Sequence, residues 1–201
     1  MNTIYICLIG YLIGSIPCGF LLTKYCCNID LRKFGSASTG TTNVLRTGHK
    51  KLALMTLLLD VLKGFIFSSF LLFLCDDFVV YSATFCCVLG HIYPVWLKFN
   101  GGKGAATAAG IFLSMSPIIT IVCGIIWGIV AKVGKISSIA SLSFFISFTI
   151  IAFFQFVLGH TNLGLLLFSI IIMLLLFFTH LDNIKRLINH EESKITVAKK
   201  Q

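Results

Sequence analysis

Lys103 stands in Asn100-Gly101-Gly102-Lys103-Gly104, one cation inside a glycine-rich pentapeptide. Glycine removes side-chain bulk, so backbone N–H groups can close around an anion, and the ammonium adds a point charge. A helix is predicted to open directly afterwards, at Ala105, and a helix N-terminus favours negative charge. The stretch therefore predicts an oxyanion site, for phosphate before other anions. It lacks the G-x-x-x-x-G-K-[ST] spacing of a nucleotide-binding loop, and no G-x-G-x-x-G follows a strand pattern.

Three further polar clusters carry similar chemistry. The segment from Asp30 to Arg46 is dense in hydroxyls and small residues, includes Ser36 and Asn43, and ends in a forked cation. It offers a phosphate many short donors, against the alternative of an ordinary solvated loop. His180 and Asn183 are three apart and share a face if the last helix continues. Ser138 and Ser141 open another helix, where they either add hydroxyls to the site or cap the helix. His91 has two readings, a packed hydrogen-bonded histidine or a member of the site. The inventory of Ser36, Arg46, Lys103, His180 and Asn183 stabilises anions and supplies no strong nucleophile. No paired carboxylates suit glycoside chemistry, and no Ser-His-Asp order is evident. Such a set fits a transfer from an already activated donor.

The elements that must position these residues are apolar. The chain has 201 residues, 57% hydrophobic and 11% charged. No soluble domain of that size hides so much apolar surface. The apolar residues come in runs of about 20, near the length of a transmembrane helix, without the period of two of a barrel strand. The first run lacks a basic leader and a small-residue exit, and reads as a retained helix. The fold class predicted is all-α, a polytopic membrane helical bundle forming a single domain over 1–201. About seven helices are expected, over 3–24, 52–74, 78–97, 105–115, 117–132, 136–158 and 163–179. The fourth and fifth are short for spans, and five full spans is the alternative.

The net charge of +9 would suggest nucleic acid in a soluble chain. Here Lys and Arg fall in alternate loops and in the tail, while Asp76 and Asp77 occupy a loop between. This positive-inside pattern puts the N-terminus outside and the C-terminus in the cytoplasm, with every polar cluster on the cytoplasmic face. No nucleic acid is expected as a partner; membrane lipids are. The eight cysteines include no C-x-x-C and are read as small, reduced, buried side chains, and no metal site is predicted. Two features lie inside apolar runs. Gly14-Ser15-Ile16-Pro17-Cys18-Gly19 weakens the first helix, for close packing or for a ligand. Asp60 and Lys63 share a helical face, either as a neutralising pair or as part of the site's scaffold.

The motifs resemble those of the bacterial membrane glycerol-3-phosphate acyltransferases that use acyl phosphate. YLIGSIPCG over 11–19 resembles that family's first span, and GSASTGTTN over 35–43 resembles its GSGNxGATN. GHIYPVWLKFNGGKG over 90–104 fits GHxFPVFxxFxGGKG, KISSIAS over 135–141 a serine-bearing motif, and HLDNIKRL over 180–187 fits HxxNIxRL. The resemblance implies a seven-helix fold with a cytoplasmic site. It implies transfer of a fatty acyl group from acyl phosphate to the 1-hydroxyl of sn-glycerol 3-phosphate, releasing lysophosphatidic acid and phosphate, with no cofactor and no metal. By motif position it implies catalytic roles for Ser36, Lys103, His180 and Asn183. Substrate contacts fall to Arg46, Ser138, Asn43, Gly101, Gly102, Gly104 and His91. The hydroxyl proton goes to the acceptor's own phosphate or to His180. The chain departs from the family pattern at Ala37, Ser38, Thr41 and His190; Ala37 and His190 stand where glycine is usual. A transporter of a phosphorylated metabolite is the competing class. It would call for polar residues through both membrane halves and repeated halves, and polarity here lies mostly on one side. An inactive lipid-binding relative is the third reading.

Overall fold

The computed structural model describes residues 2–195, which form helices and turns, with no strand among the described residues. They divide into two compact units, the first running to Ser114 and the second from Met115 to Ile195.

The first unit opens with α1 (Thr3–Gly14), whose N-cap Asn2 accepts from Ile4 N at 3.1 Å. The predicted first helix is broken. Pro17 has no N–H to give and disfavours helical geometry in the residue before it, so α1 stops at Gly14 and α2 (Cys18–Cys27) follows. The carbonyls of Gly14 and Ile16, left without helical partners, accept from Lys63 Nζ at 3.0 Å each. Asn28 takes a left-handed φ of 54° and closes α2 with Asn28 N–Lys24 O and Ile29 N–Thr23 O bonds. The Asn28 N–Lys24 O bond is that of an αL helix end, which turns the chain off the helix axis.

A 3-10 turn (Leu31–Lys33), α3 (Thr41–Arg46), α4 (Lys50–Leu74) and α5 (Asp77–Ile92) come next. Leu31 and Val44, both fully buried, pack with Ala53 into a small core that folds the polar loop onto the start of α4. α1 meets α5 backbone to backbone. A side chain added at Gly14 would strike the Cys87 carbonyl, and one at Gly90 the Tyr11 carbonyl. Small residues permit such approach where lipid supplies no hydrophobic drive between helices. A second 3-10 turn (Val95–Leu97) and α6 (Ala105–Met115) complete the unit.

The second unit holds α7 (Pro117–Gly134), α8 (Ser137–Val157), α9 (Leu163–Thr179) and α10 (Leu181–Ile188). Pro117 sits at the first helical position, where its missing N–H costs nothing, so the residues around it separate α6 from α7. α7 and α8 are joined through Lys135 at φ 54°. α9 and α10 bend by 59° at His180.

Large apolar side chains such as Phe73 (88% exposed), Phe78, Ile118 and Val133 (79%) point outward. Exposure on this scale suits lipid and not water. Thr3–Cys27, Lys50–Leu74, Asp77–Leu97, Pro117–Gly134 and Ser137–Val157 are long and apolar enough to cross a membrane, and the bent pair α9–α10 adds a sixth candidate if it counts as one span. α6, with 11 residues, rises about 16 Å against a hydrocarbon core of about 30 Å, too little to cross alone. All eight cysteines are unpaired thiols; Cys18, Cys87 and Cys123 are buried, and Cys26 is exposed.

Candidate active site

In the first unit the polar loop is built around Asn43, which is 2% exposed. Its amide nitrogen donates to Phe34 O at 2.9 Å and Ser38 O at 2.8 Å, and its oxygen accepts from Ser36 N at 3.1 Å. One side chain thereby satisfies three turn groups that no helix serves. Gly35 is left-handed beside it, and a Cβ there would collide with the Asn43 oxygen. Ser36 is exposed at the loop's crest, and Arg46 closes α3 half-buried. Arg32 bonds to Asp30 at 3.0 Å and 2.7 Å. Those bonds hold the Asp30 carboxyl at about 2, well under the usual aspartate range.

The glycine-rich loop folds back along the end of α5. Lys98 and Phe99 are consecutive left-handed residues that reverse the chain. Gly101 N then donates to Ile92 O at 3.1 Å and Gly102 N to His91 O at 3.0 Å. Gly101 O accepts from Thr39 N at 3.2 Å, which ties this loop to the Ser36 loop. At Gly102 any Cβ would run into the His91 imidazole. Gly104, with φ 88°, turns the chain into α6, and Lys103 between them is half-buried.

Beneath the loop lies a buried polar cluster. His91 is 7% exposed; its Nδ1 lies 3.0 Å from Lys63 Nζ and 3.2 Å from Thr107 Oγ1. Lys63 pairs with Asp60 at 2.9 Å. Asp60 and Lys63 thus form the neutralising pair read from their spacing, and Lys63 also reaches the α1–α2 break and His91. The geometry makes His91 the floor of the glycine-rich loop.

In the second unit, Ser138 near the start of α8, His180 at the α9–α10 bend and Asn183 on α10 are all buried. His180 Nδ1 lies 2.7 Å from Leu176 O. Donating that proton leaves Nε2 as the lone-pair nitrogen of the neutral ring. Ser138 and Asn183 meet on a residue that motif reasoning passed over, Glu192. Its Oε1 accepts from Asn183 Nδ2 at 2.6 Å and Ser138 Oγ at 3.1 Å, and its Oε2 from Arg186 Nε at 2.7 Å. Burial raises the Glu192 pKa, but the Asn183 and Arg186 hydrogen bonds, the Arg186 charge and the Ser138 hydroxyl outweigh it, leaving it lower than ordinary. The only hint in the sequence was an acidic pair, Glu191-Glu192, in an otherwise basic tail.

Helices with lipid-facing sides, carrying donor-rich loops at their ends, define a multi-pass integral membrane protein with anion-suited sites. Residues 4–190 match the family model described as glycerol-3-phosphate acyltransferase. A glycerol-3-phosphate acyltransferase of Pelagibacter ubique is 39% identical over 197 residues, covering 98% of this chain and 100% of its own. One from Wolbachia pipientis wMel is 41% identical over 196 residues, covering 96% and 98%. The crystal structure of PlsY (YgiH), an integral membrane glycerol 3-phosphate acyltransferase in its glycerol 3-phosphate form, superposes with a TM-score of 0.88. It is 34% identical and covers 96% of this chain and 94% of that one. The lysophosphatidic acid form of that protein gives 0.85 at 32% identity, with the same coverage. The chain belongs to the glycerol-3-phosphate acyltransferase family, and is an acyltransferase of phospholipid synthesis.

Proposed function

We propose that this acyltransferase takes its acyl group from acyl phosphate and delivers it to the 1-hydroxyl of sn-glycerol 3-phosphate, at the cytoplasmic face of the bacterial inner membrane. The hydroxyl oxygen bonds to the acyl carbon, the bond from that carbon to the bridging oxygen breaks, and inorganic phosphate leaves. The products are 1-acyl-glycerol 3-phosphate and phosphate. A mixed anhydride already carries a good leaving group, so no covalent enzyme intermediate is required.

The observation that carries this reading is the Thr39–Gly101 hydrogen bond, which makes one platform of the Ser36–Arg46 and Gly101–Gly104 loops. A hydroxyl and two cations on that platform suit phosphoryl oxygens, while the Gly101 and Gly102 N–H groups, already given to Ile92 O and His91 O, hold the loop's shape. Ser36 and Lys103 steady developing charge, and Arg46 holds a phosphate. Asn43 and His91 serve the same end from below, by holding the loops in shape. In the second unit Asn183 and Ser138 contact substrate. His180 Nε2 accepts the hydroxyl proton if the acceptor's own phosphate does not. The transporter reading gains no support from an acyltransferase family match.

The test uses purified protein in lipid, with palmitoyl phosphate as donor. Phosphate should appear only when glycerol 3-phosphate is present, and EDTA should leave the rate unchanged. Lys103→Ala should lower kcat by about 100-fold, as for loss of one charge contact made in the transition state. Folded protein that releases no phosphate would end the acyl-phosphate reading. A Lys103→Ala rate near wild type would remove Lys103 from the site.

A further inference from the structure

We infer that Glu192 is a positioning residue of the acyltransferase, a fixed acceptor that sets the direction of the Asn183 amide and the Ser138 hydroxyl. The inference rests on the proposed placing of Asn183 and Ser138 at the substrate.

The carboxylate lies where two helices meet. Ser138 comes from α8, while Asn183 and Arg186 come from α10, and the Glu192 side chain is 4% exposed. Its position follows from the chain's path. At the end of α10, His190 N bonds to Leu187 O at 3.1 Å and Glu191 N to Arg186 O at 2.7 Å, with His190 left-handed at φ 57°. That Schellman turn reverses the backbone and sends Glu192 back along the helix it has just left. Three residues on, Ile195 N donates to Lys135 O at 2.6 Å. The stretch 190–195 is therefore a strap fastened at the helix end and at the α7–α8 turn, with Glu192 pointing inward between the fastenings.

An ionised carboxylate only accepts, and all three partners here donate. Asn183 and Arg186 are planar groups with more N–H vectors than the one each gives to Glu192, so fixing one vector fixes the others. The three bonds hold the side-chain rotamers of Asn183 and Ser138 without Glu192 touching substrate. The carboxylate is not a stand-in for substrate phosphate. Displacing it would break three charge-assisted contacts at once and leave a buried charge unpaired.

The experiment is a double-mutant cycle on the full-length protein in lipid, reading kcat and KM for glycerol 3-phosphate. Glu192→Ala should cut kcat/KM by about 10- to 100-fold, the scale of a misplaced contact group. Because Glu192 acts partly through Asn183, Glu192→Ala should cost less in the Asn183→Ala background than in wild type, the remainder being its hold on Ser138. Glu192→Gln should fall between, since its amide oxygen still accepts from Asn183 while its NH2 faces Arg186. It carries the same cycle if Glu192→Ala does not fold. Losses that add in full, or a Glu192→Ala rate equal to wild type, overturn the inference and leave the site reading standing. A lower KM in Glu192→Ala also overturns it, because the carboxylate would then be competing with substrate. If Asn183→Ala itself is fully active, the site reading fails at that residue and takes the inference with it.

Discussion

Ala37 and His190 hold left-handed backbone, at φ 56° and 57°. An L-residue there brings Cβ against the following carbonyl, at about 1–2 kcal/mol. The motif that the 35–43 loop resembles has glycine at position 37. Each is in place because its turn must close, Ala37 beside the Ser36 crest and His190 at the end of α10. Ala37→Gly and His190→Gly should each raise stability by about 0.5–1 kcal/mol, the relief being partly offset by the freer unfolded chain. Thermal unfolding of the purified protein reads this, and a loss of stability at either position would contradict the strain argument. At this scale the sequence was partly legible. Lys103, Ser36, Arg46 and Asn183 stand out as candidates by type and by motif. Asn43 announces its importance but not its partners, because the groups it serves are backbone atoms up to twelve residues away. Glu192 was illegible: its contacts depend on a chain reversal that only the φ of His190 reveals.

Among the elements, the long helices could be read from run length alone, since a bilayer demands about 20 apolar residues. Among the short ones, α6 could be read at its observed bounds, and α3 could not. α3 has 6 residues and forms because Val44 packs beneath Leu31, not because of its own propensity. The break between α1 and α2 was visible as Gly14–Gly19, but not its fastening by Lys63. Lys63→Met should therefore destabilise the fold by about 3–5 kcal/mol, because Asp60 keeps a buried charge and two carbonyls lose their donor. Adding Asp60→Asn should recover part of that, and thermal unfolding of the two variants makes the comparison. The strap on α10 responds to pH in a defined direction. Glu192 has a pKa lower in the folded than in the unfolded chain. Its stabilisation is thus complete above the ordinary glutamate range and disappears as pH falls through the folded value. Wild type should lose more stability than Glu192→Gln on acidification from neutral pH, and parallel curves would show that the carboxylate is not held as described.

At the scale of the whole molecule, charge bears on which face of the membrane carries the chemistry. α4 has 25 residues, a rise of about 37 Å, so its two ends emerge on opposite sides of a bilayer. One end begins with Lys50 and Lys51, and the other leads to Asp76 and Asp77. Basic loops remain in the cytoplasm because moving Lys and Arg outward across the membrane is disfavoured. The Ser36–Arg46 loop joins the Lys50 end, so it belongs with the basic side. In the second unit Lys135 and the Lys185–Arg186 pair mark the ends that carry Ser138 and Asn183. The positive-inside rule would put all these basic ends on one side of the bilayer. Single-cysteine variants in a cysteine-free background test this with a thiol reagent that cannot cross membranes. Asp77→Cys should label in intact cells, whereas Lys33→Cys and Lys135→Cys should label only after permeabilisation. Were Lys33→Cys and Lys135→Cys to label from opposite sides, the donors of the two units could not serve one reaction, and the acyl transfer proposed above would have to be built from one unit alone.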